Sequence, residues 1–178
     1  LLTGTPLWGE LQSQCLDVAL VSTLAIGLDR PGSDLDILCQ HATPSVLAAR
    51  FAELGWQRRA LDSDIWLLEQ TLTDADGRSW PIELYVTPAR IETLNGWRHL
   101  SLMAALIEHF GHDFYRTLLA LRLQQGLKGE AAICRLLKLS GDPYQALLTL
   151  EGRNLDQLDW QPHPMTHTAR IGAPRTPS

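Results

Sequence analysis

Lysine is scarce in this chain. Lys128 and Lys138 are the only two, and arginine supplies the rest of the 15 basic residues. Arginine forks phosphate and carboxylate bidentately, but such a skew fits gene base composition better than function. Positive charge is short overall, with 15 bases against 20 acids, a formal net charge of -5 and a sequence pI near 5.6. A protein that tracks long nucleic acid needs a basic surplus to neutralise phosphates, and so does one held on an anionic membrane surface. Neither partner is expected. The three cysteines, Cys15, Cys39 and Cys134, are too few and too scattered for a disulfide framework or a zinc site. They fit buried or free thiols in a reducing compartment. No apolar run approaches the roughly 20 residues that span a bilayer. The stretch from Val18 to Leu28 is broken by Ser22, Thr23 and Gly27. No basic start followed by an apolar stretch marks a secretory signal, so a cytoplasmic location is expected. Also absent are a Walker-type loop, a dinucleotide-binding glycine fingerprint, a recognisable Ser-His-Asp arrangement and any internal repeat.

What is present is ordinary in bulk. The 178 residues are 45% hydrophobic and 20% charged, which fits one folded domain with a helical extension. Residues 8–16 read as a helix and the β-branched run at 17–24 as a buried strand. A turn follows, with Pro31 and Gly32 as its punctuation, and residues 34–40 form a second strand. Thr43 is a plausible N-cap with Pro44 at the first helical position, and Gly55 closes that helix. Near-alternating patterns at 56–61, 64–71 and 80–86 predict strands, the last two joined by a hairpin turn at 74–77. From Ile91 the pattern is helical, over 94–110, 114–125, 130–139 and 143–150. The expected fold is α+β. Residues 1–92 would form a core with a small mixed sheet, 93–160 a helical extension packed on it, and 161–178 an irregular tail.

The informative segment is Pro31 to Cys39, PGSDLDILC. On a strand, Asp34 and Asp36 point the same way while Leu35 and Ile37 point into the core. Their Cα atoms would lie roughly 6.5–7 Å apart, a span over which two carboxylates can bridge divalent cations. Like charges so close need a counter-ion. A hard cation such as Mg2+, with its preference for oxygen, is the natural one. Gly32 and Ser33 just before the pair give a tight turn whose backbone N–H groups suit phosphate. A third acid is expected on a neighbouring strand. Glu83 in PIELYV alternates with core residues and is preferred over Glu69 on the partner strand.

The run LVSTLAIGLDRPGSDLDILC resembles the catalytic signature of the polymerase-beta-type nucleotidyltransferase superfamily. In that pattern one strand ends in Gly-Ser or Gly-Thr, a loop follows, and Ser-Asp-x-Asp opens the next strand. The resemblance implies that Asp34 and Asp36 are paired metal ligands, Glu83 the third carboxylate, and Mg2+ or Mn2+ the cofactor. It implies a nucleoside triphosphate as donor, an acceptor of unknown identity, and Ser22, Thr23, Gly32 and Ser33 on the phosphate side. One position departs. Ser22 stands where the pattern has glycine, and a side chain there is expected to crowd the triphosphate. Together with NGWRHL and the run from Gly126 to Leu150, the segment also resembles the bacterial family of domains of unknown function DUF4269, from about Asp17 to Leu150.

Cations should help hold a triphosphate. Arg98 and His99 lie at the start of the first long helix of the extension, where a helix N-terminus favours anions. The equally weighted expectation is that Arg98 pairs with a core acid and His99 packs. Lys128 is a further candidate, with a solvated helix start the preferred expectation. His163 and His167 are four apart, but they fall in the Pro-rich tail without a third ligand and are set aside. Trp97 could stack on a base, although packing is the default. The leading expectation is a metal-dependent nucleotidyltransferase acting on a small molecule or protein. The alternative is an inactive module of the same fold that binds a nucleotide or a protein partner.

Overall fold

The computed structural model describes residues 5–74 and 76–162. The tail histidines His163 and His167 lie outside the described residues.

Helix α1 (Pro6–Gln14) starts where Pro6 sets the first turn and the Thr5 side chain accepts from the Trp8 N–H. Strand β1 (Asp17–Leu20) follows, then β2 (Leu35–Gln40), α2 (Pro44–Glu53), β3 (Gln57–Asp62), β4 (Ile65–Thr73) and β5 (Ser79–Thr87). Four further α-helices follow: α3 (Asn95–Phe110), α4 (His112–Gln125), α5 (Gly129–Leu136) and α6 (Pro143–Leu148). The five strands form one open sheet in the order β1-β2-β5-β4-β3. Only β2 and β5 run parallel; the other neighbours are antiparallel. The fold is therefore α+β with a mixed sheet, as the alternation of short strands and one hairpin predicts.

Two local expectations need correction. The run at 17–24 does not stay extended, because β1 ends at Leu20 and Thr23–Ile26 form a 3-10 turn. Ser22 is the cause. Its Oγ accepts from the Leu24 N–H and so caps that turn, drawing the chain off the strand. Thr43 does precede α2, but its side chain makes no cap hydrogen bond; its N–H donates to His41 Nδ1 at 2.9 Å.

Burial divides between two cores. One face of the sheet, with Ile37, Ile82, Leu84 and Leu68, packs against Leu11 of α1 and Leu47 and Phe51 of α2. The second core lies among α3–α6 around Met103, Leu106, Phe114, Leu118, Ile133 and Leu147. It also takes in Leu28, which is wholly buried and comes from the loop between β1 and β2. Three side-chain bonds tie the helices to that same loop. Tyr115 Oη donates to the Gly27 carbonyl at 2.8 Å, Arg30 Nη1 to the Gly126 carbonyl at 2.8 Å, and Arg122 Nη2 to Thr23 Oγ1 at 3.2 Å. The three cysteines are free thiols, Cys39 and Cys134 buried.

Candidate functional site

The loop from Val21 to Asp34 positions the acids. Pro31 and Gly32 occupy the middle of a turn closed by the Ser33 N–H donating to the Arg30 carbonyl at 2.9 Å. Gly32 has φ 81°, which a type II turn demands at that corner. Ser33 is buried, and its Oγ accepts from the Arg30 N–H at 2.9 Å. Both groups of Ser33 are thus engaged in shaping the turn. Ser22 is also turned inward. It is 2% exposed, and its Oγ donates to the Asp34 carbonyl at 2.7 Å while capping Leu24. The hydroxyl therefore does not crowd a cleft; it holds the backbone at which the acid strand begins. The Val21 N–H adds a bond to the Asp36 carbonyl at 2.8 Å.

Register decides which acids meet. Asp36 on β2 is the partner of Glu83 on β5, and Glu83 is the partner of Glu69 on β4. Three adjacent strands thus carry one carboxylate each in a single row, with neighbouring strands about 4.8 Å apart. Asp34 lies just before β2 and is exposed. The row occupies the face away from α1 and α2. Asp36 and Glu83 open into a cavity of about 480 Å³ walled by Leu67, Tyr85 and the first turn of α3 at Asn95 and Gly96.

The charges oppose one another. Burial, then the Asp34 and Glu83 charges, push the Asp36 carboxyl up to about 6. Burial, then Asp34 and Glu69, raise Glu83, partly offset by Arg59 and Lys128. Lys128, at the N-cap of α5, lowers both acids and is itself held above its ordinary value, first by the neighbouring Tyr144 side chain and then by Glu130 and Asp34. Glu130 escaped the sequence reading. It sits in the first turn of α5 and raises Asp36 further. Its signal was its place two residues after Lys128, in a helix that only tertiary packing brings beside β2.

The remaining sequence candidates lie elsewhere. Arg98 forks Glu151 through Nε and Nη2, with Nε to Oε1 at 2.7 Å, and donates to Asn95 Oδ1 at 2.9 Å. His99 is 6% exposed between helices, its Nε2 2.9 Å from the Tyr144 carbonyl and its Nδ1 3.9 Å from Glu130 Oε1. Thr23 accepts from Arg122, a 4% exposed guanidinium whose Nε has no hydrogen-bond partner among the described residues.

Oxygen donors and like-charge crowding suit a hard divalent cation. Among the described residues, however, no three histidine, cysteine, aspartate or glutamate side chains form a ready metal cage. The fit is that of a shallow site with Asp36 and Glu83 as donors and Asp34 beside them. Mg2+ is commonly held in this way by one or two carboxylates, with substrate phosphates and water completing its shell.

Comparison with curated proteins and with solved structures finds no match. The family model described as Domain of unknown function (DUF4269) matches residues 2–150, and the chain belongs to that family.

Proposed function

We propose that the acid row is the centre of a metal-dependent nucleotidyltransferase that moves a nucleoside monophosphate from a nucleoside triphosphate to a hydroxyl or amine of a small molecule or protein. The reading extends the α+β fold to the polymerase-beta-type nucleotidyltransferase class. One observation carries it: Asp36 and Glu83 are register partners on parallel strands, open into one cavity, and both have their proton affinity raised, by burial first and by the Asp34 charge next.

Asp36 and Glu83, with Asp34 beside them, would hold Mg2+ or Mn2+. When bound, such an ion neutralises phosphate charge and polarises the reacting oxygens. The chain's own residues supply the rest. Lys128 places a positive charge at the rim for phosphate oxygens. Leu67 and Tyr85 wall the cavity and limit water. Ser22 fixes the backbone at Asp34, so the carboxylates keep their spacing as a ligand enters. The bond formed joins the acceptor atom to the α-phosphorus, the bond broken is that between the α-phosphorus and the oxygen bridging to the β-phosphate, pyrophosphate leaves, and the acceptor's proton passes to solvent.

A second reading has support of its own. Arg98 is committed to Glu151 and the Ser33 amide to the turn, which leaves the cleft with few cations for a triphosphate. A non-catalytic module that binds a nucleotide or protein partner fits that economy. The two readings separate in one experiment. Wild-type protein with Mg2+ or Mn2+ and each of the four ribonucleoside triphosphates is assayed for pyrophosphate release and thermal shift. The enzyme reading expects a metal-dependent shift, with pyrophosphate release that Asp36→Asn abolishes. Binding without release supports the module. No metal-dependent shift with any nucleotide overturns the enzyme.

A further inference from the structure

A second cavity, of about 630 Å³, lies beside the edge strand β1 and is distinct from the acid cleft. Its volume falls in the roughly 300–1,000 Å³ range of small-molecule pockets. Its walls include three tryptophans from separate elements, Trp8 of α1, Trp80 of β5 and Trp97 of α3, together with Leu24, Asp29 and Arg78. Half of the chain's six tryptophans therefore converge on one opening. Packing accounts for two of them, because Trp8 and Trp80 lean on the sheet core. It does not account for Trp97. That ring is only half-buried, and among the described residues it is packed against neither core. The Trp80 ring is fixed, with Nε1 donating to Asp74 Oδ2 at 2.9 Å.

The polar groups narrow the ligand. Asp29 offers only acceptors and Arg78 only donors. Among the described residues neither side chain makes a hydrogen bond or a close ion pair, although Arg78 lies within electrostatic reach of Asp74 and Asp29 within that of Arg122. An organic cation would suit the indoles and Asp29 but meet Arg78 as a like charge. An anion would meet Asp29 in the same way. A neutral planar heterocycle with donors and acceptors on its edges satisfies both groups while its faces stack on indole. A nucleobase has that chemistry, and base–aromatic stacking tolerates any base because each has a π face.

We propose that this cavity binds the ring of a nucleoside, stacked on Trp97 and read at its edges by Asp29 and Arg78. The first turn of α3 separates the two cavities, with Gly96 lining the acid cleft and Trp97 the aromatic one. The ring is either the base of a nucleotide whose phosphates reach the acids or that of a free nucleoside. The site stands on its own lining and does not depend on nucleotidyl transfer.

The test titrates the full chain, without metal, with adenosine, guanosine, cytidine and uridine, followed by calorimetry and tryptophan fluorescence. At least one nucleoside should bind saturably. Trp97→Ala should weaken it at least about fivefold, the loss expected of one base–indole stack. Asp36→Asn should leave nucleoside affinity unchanged, so failure of the acid-cleft reading is separable from failure of this one. If Trp97→Ala does not fold, the exposed substitution Arg78→Ala and Asp29→Asn carry the test, each expected to lower affinity. A triphosphate with Mg2+ that binds more tightly than its nucleoside, with the gain lost in Asp36→Asn, identifies the ring as the donor's base. Equal affinity identifies a separate nucleoside. Absence of binding up to millimolar nucleoside overturns the proposal. So does binding unaffected by all three variants, or preferential binding of zwitterionic phenylalanine or tryptophan.

Discussion

Ionising Asp36 costs more in the metal-free fold than in the unfolded chain. Its carboxyl moves from an ordinary 3.8 to about 6, through burial first and the Asp34 and Glu83 charges second. The raised value means the folded chain holds this proton more tightly than the unfolded one. Below about pH 4 the group is neutral in both states and costs nothing. Across pH 4 to 6 the unfolded chain ionises first, so stability falls, and above that window the full penalty persists. After solvent screening it should be on the order of 1–2 kcal/mol. Asp36→Asn should therefore melt higher than wild type at pH 7.5, with the advantage vanishing near pH 4. Added Mg2+ should stabilise wild type alone. Thermal melts across pH check both, and a variant that melts no higher at pH 7.5 would remove the like-charge account of this site. How far this site was legible also turns on single residues. Apolar alternation marks Glu83 as an acid on a strand. Its pairing with Asp36 depends on β5 inserting between β2 and β4, a long-range choice that no local pattern encodes. The same register makes Glu69 a neighbour of Glu83 rather than only its competitor. Ser22 reads as a misfit when judged by a phosphate's needs. Its hydrogen bonds to Asp34 and Leu24 appear only once the chain has turned back on itself.

Among the elements, α5 packs directly on α3 and α4 of the helical half. A Cβ added at Gly129 would lie 2.8 Å from Met103 Sδ and 3.2 Å from Arg122 Nη1. Helix propensity favours alanine over glycine by about 1 kcal/mol at most. The contact should win, because Met103 is 2% exposed and Arg122 4%, so neither has open space to retreat into. Gly129→Ala should cost about 1–3 kcal/mol, the usual range for overpacking, measured by urea unfolding. A neutral or stabilising result would mean that this junction is looser than described. The helices of this half were largely readable, since 3.6-residue periodicity and the glycines at 111 and 126 mark their limits. The end of β1 was not. VALVSTL favours a strand by composition, and one serine hydroxyl that caps a 3-10 turn outweighs that preference.

At the scale of the whole molecule, the loop between β1 and β2 belongs to both halves. Leu28 is wholly buried in the helical core, and Val21 and Ile26 pack against it. Residues 1–92 expressed alone would expose all three and lose the bonds from Tyr115, Arg30 and Arg122. Such a piece should lack dispersed amide resonances for the loop and a cooperative melt, whereas the full chain should show both. A separately folding piece would contradict the shared core. The periodicity that divides a strand-rich half from a helical half gives no sign that a loop from the first half fills the core of the second.

The sheet's two borders carry a last consequence. β1 is only four residues long, and β3, exposed at every position, bears Arg58, Arg59 and Asp62. Unpaired strand borders recruit strands from other chains, and short length and charge are what discourage it. Arg59, which softens the acid row at Glu83, thus lies with Arg58 on a border that resists growth into a larger sheet. Replacing them with apolar residues would leave the fold's interior intact and make the protein prone to aggregate.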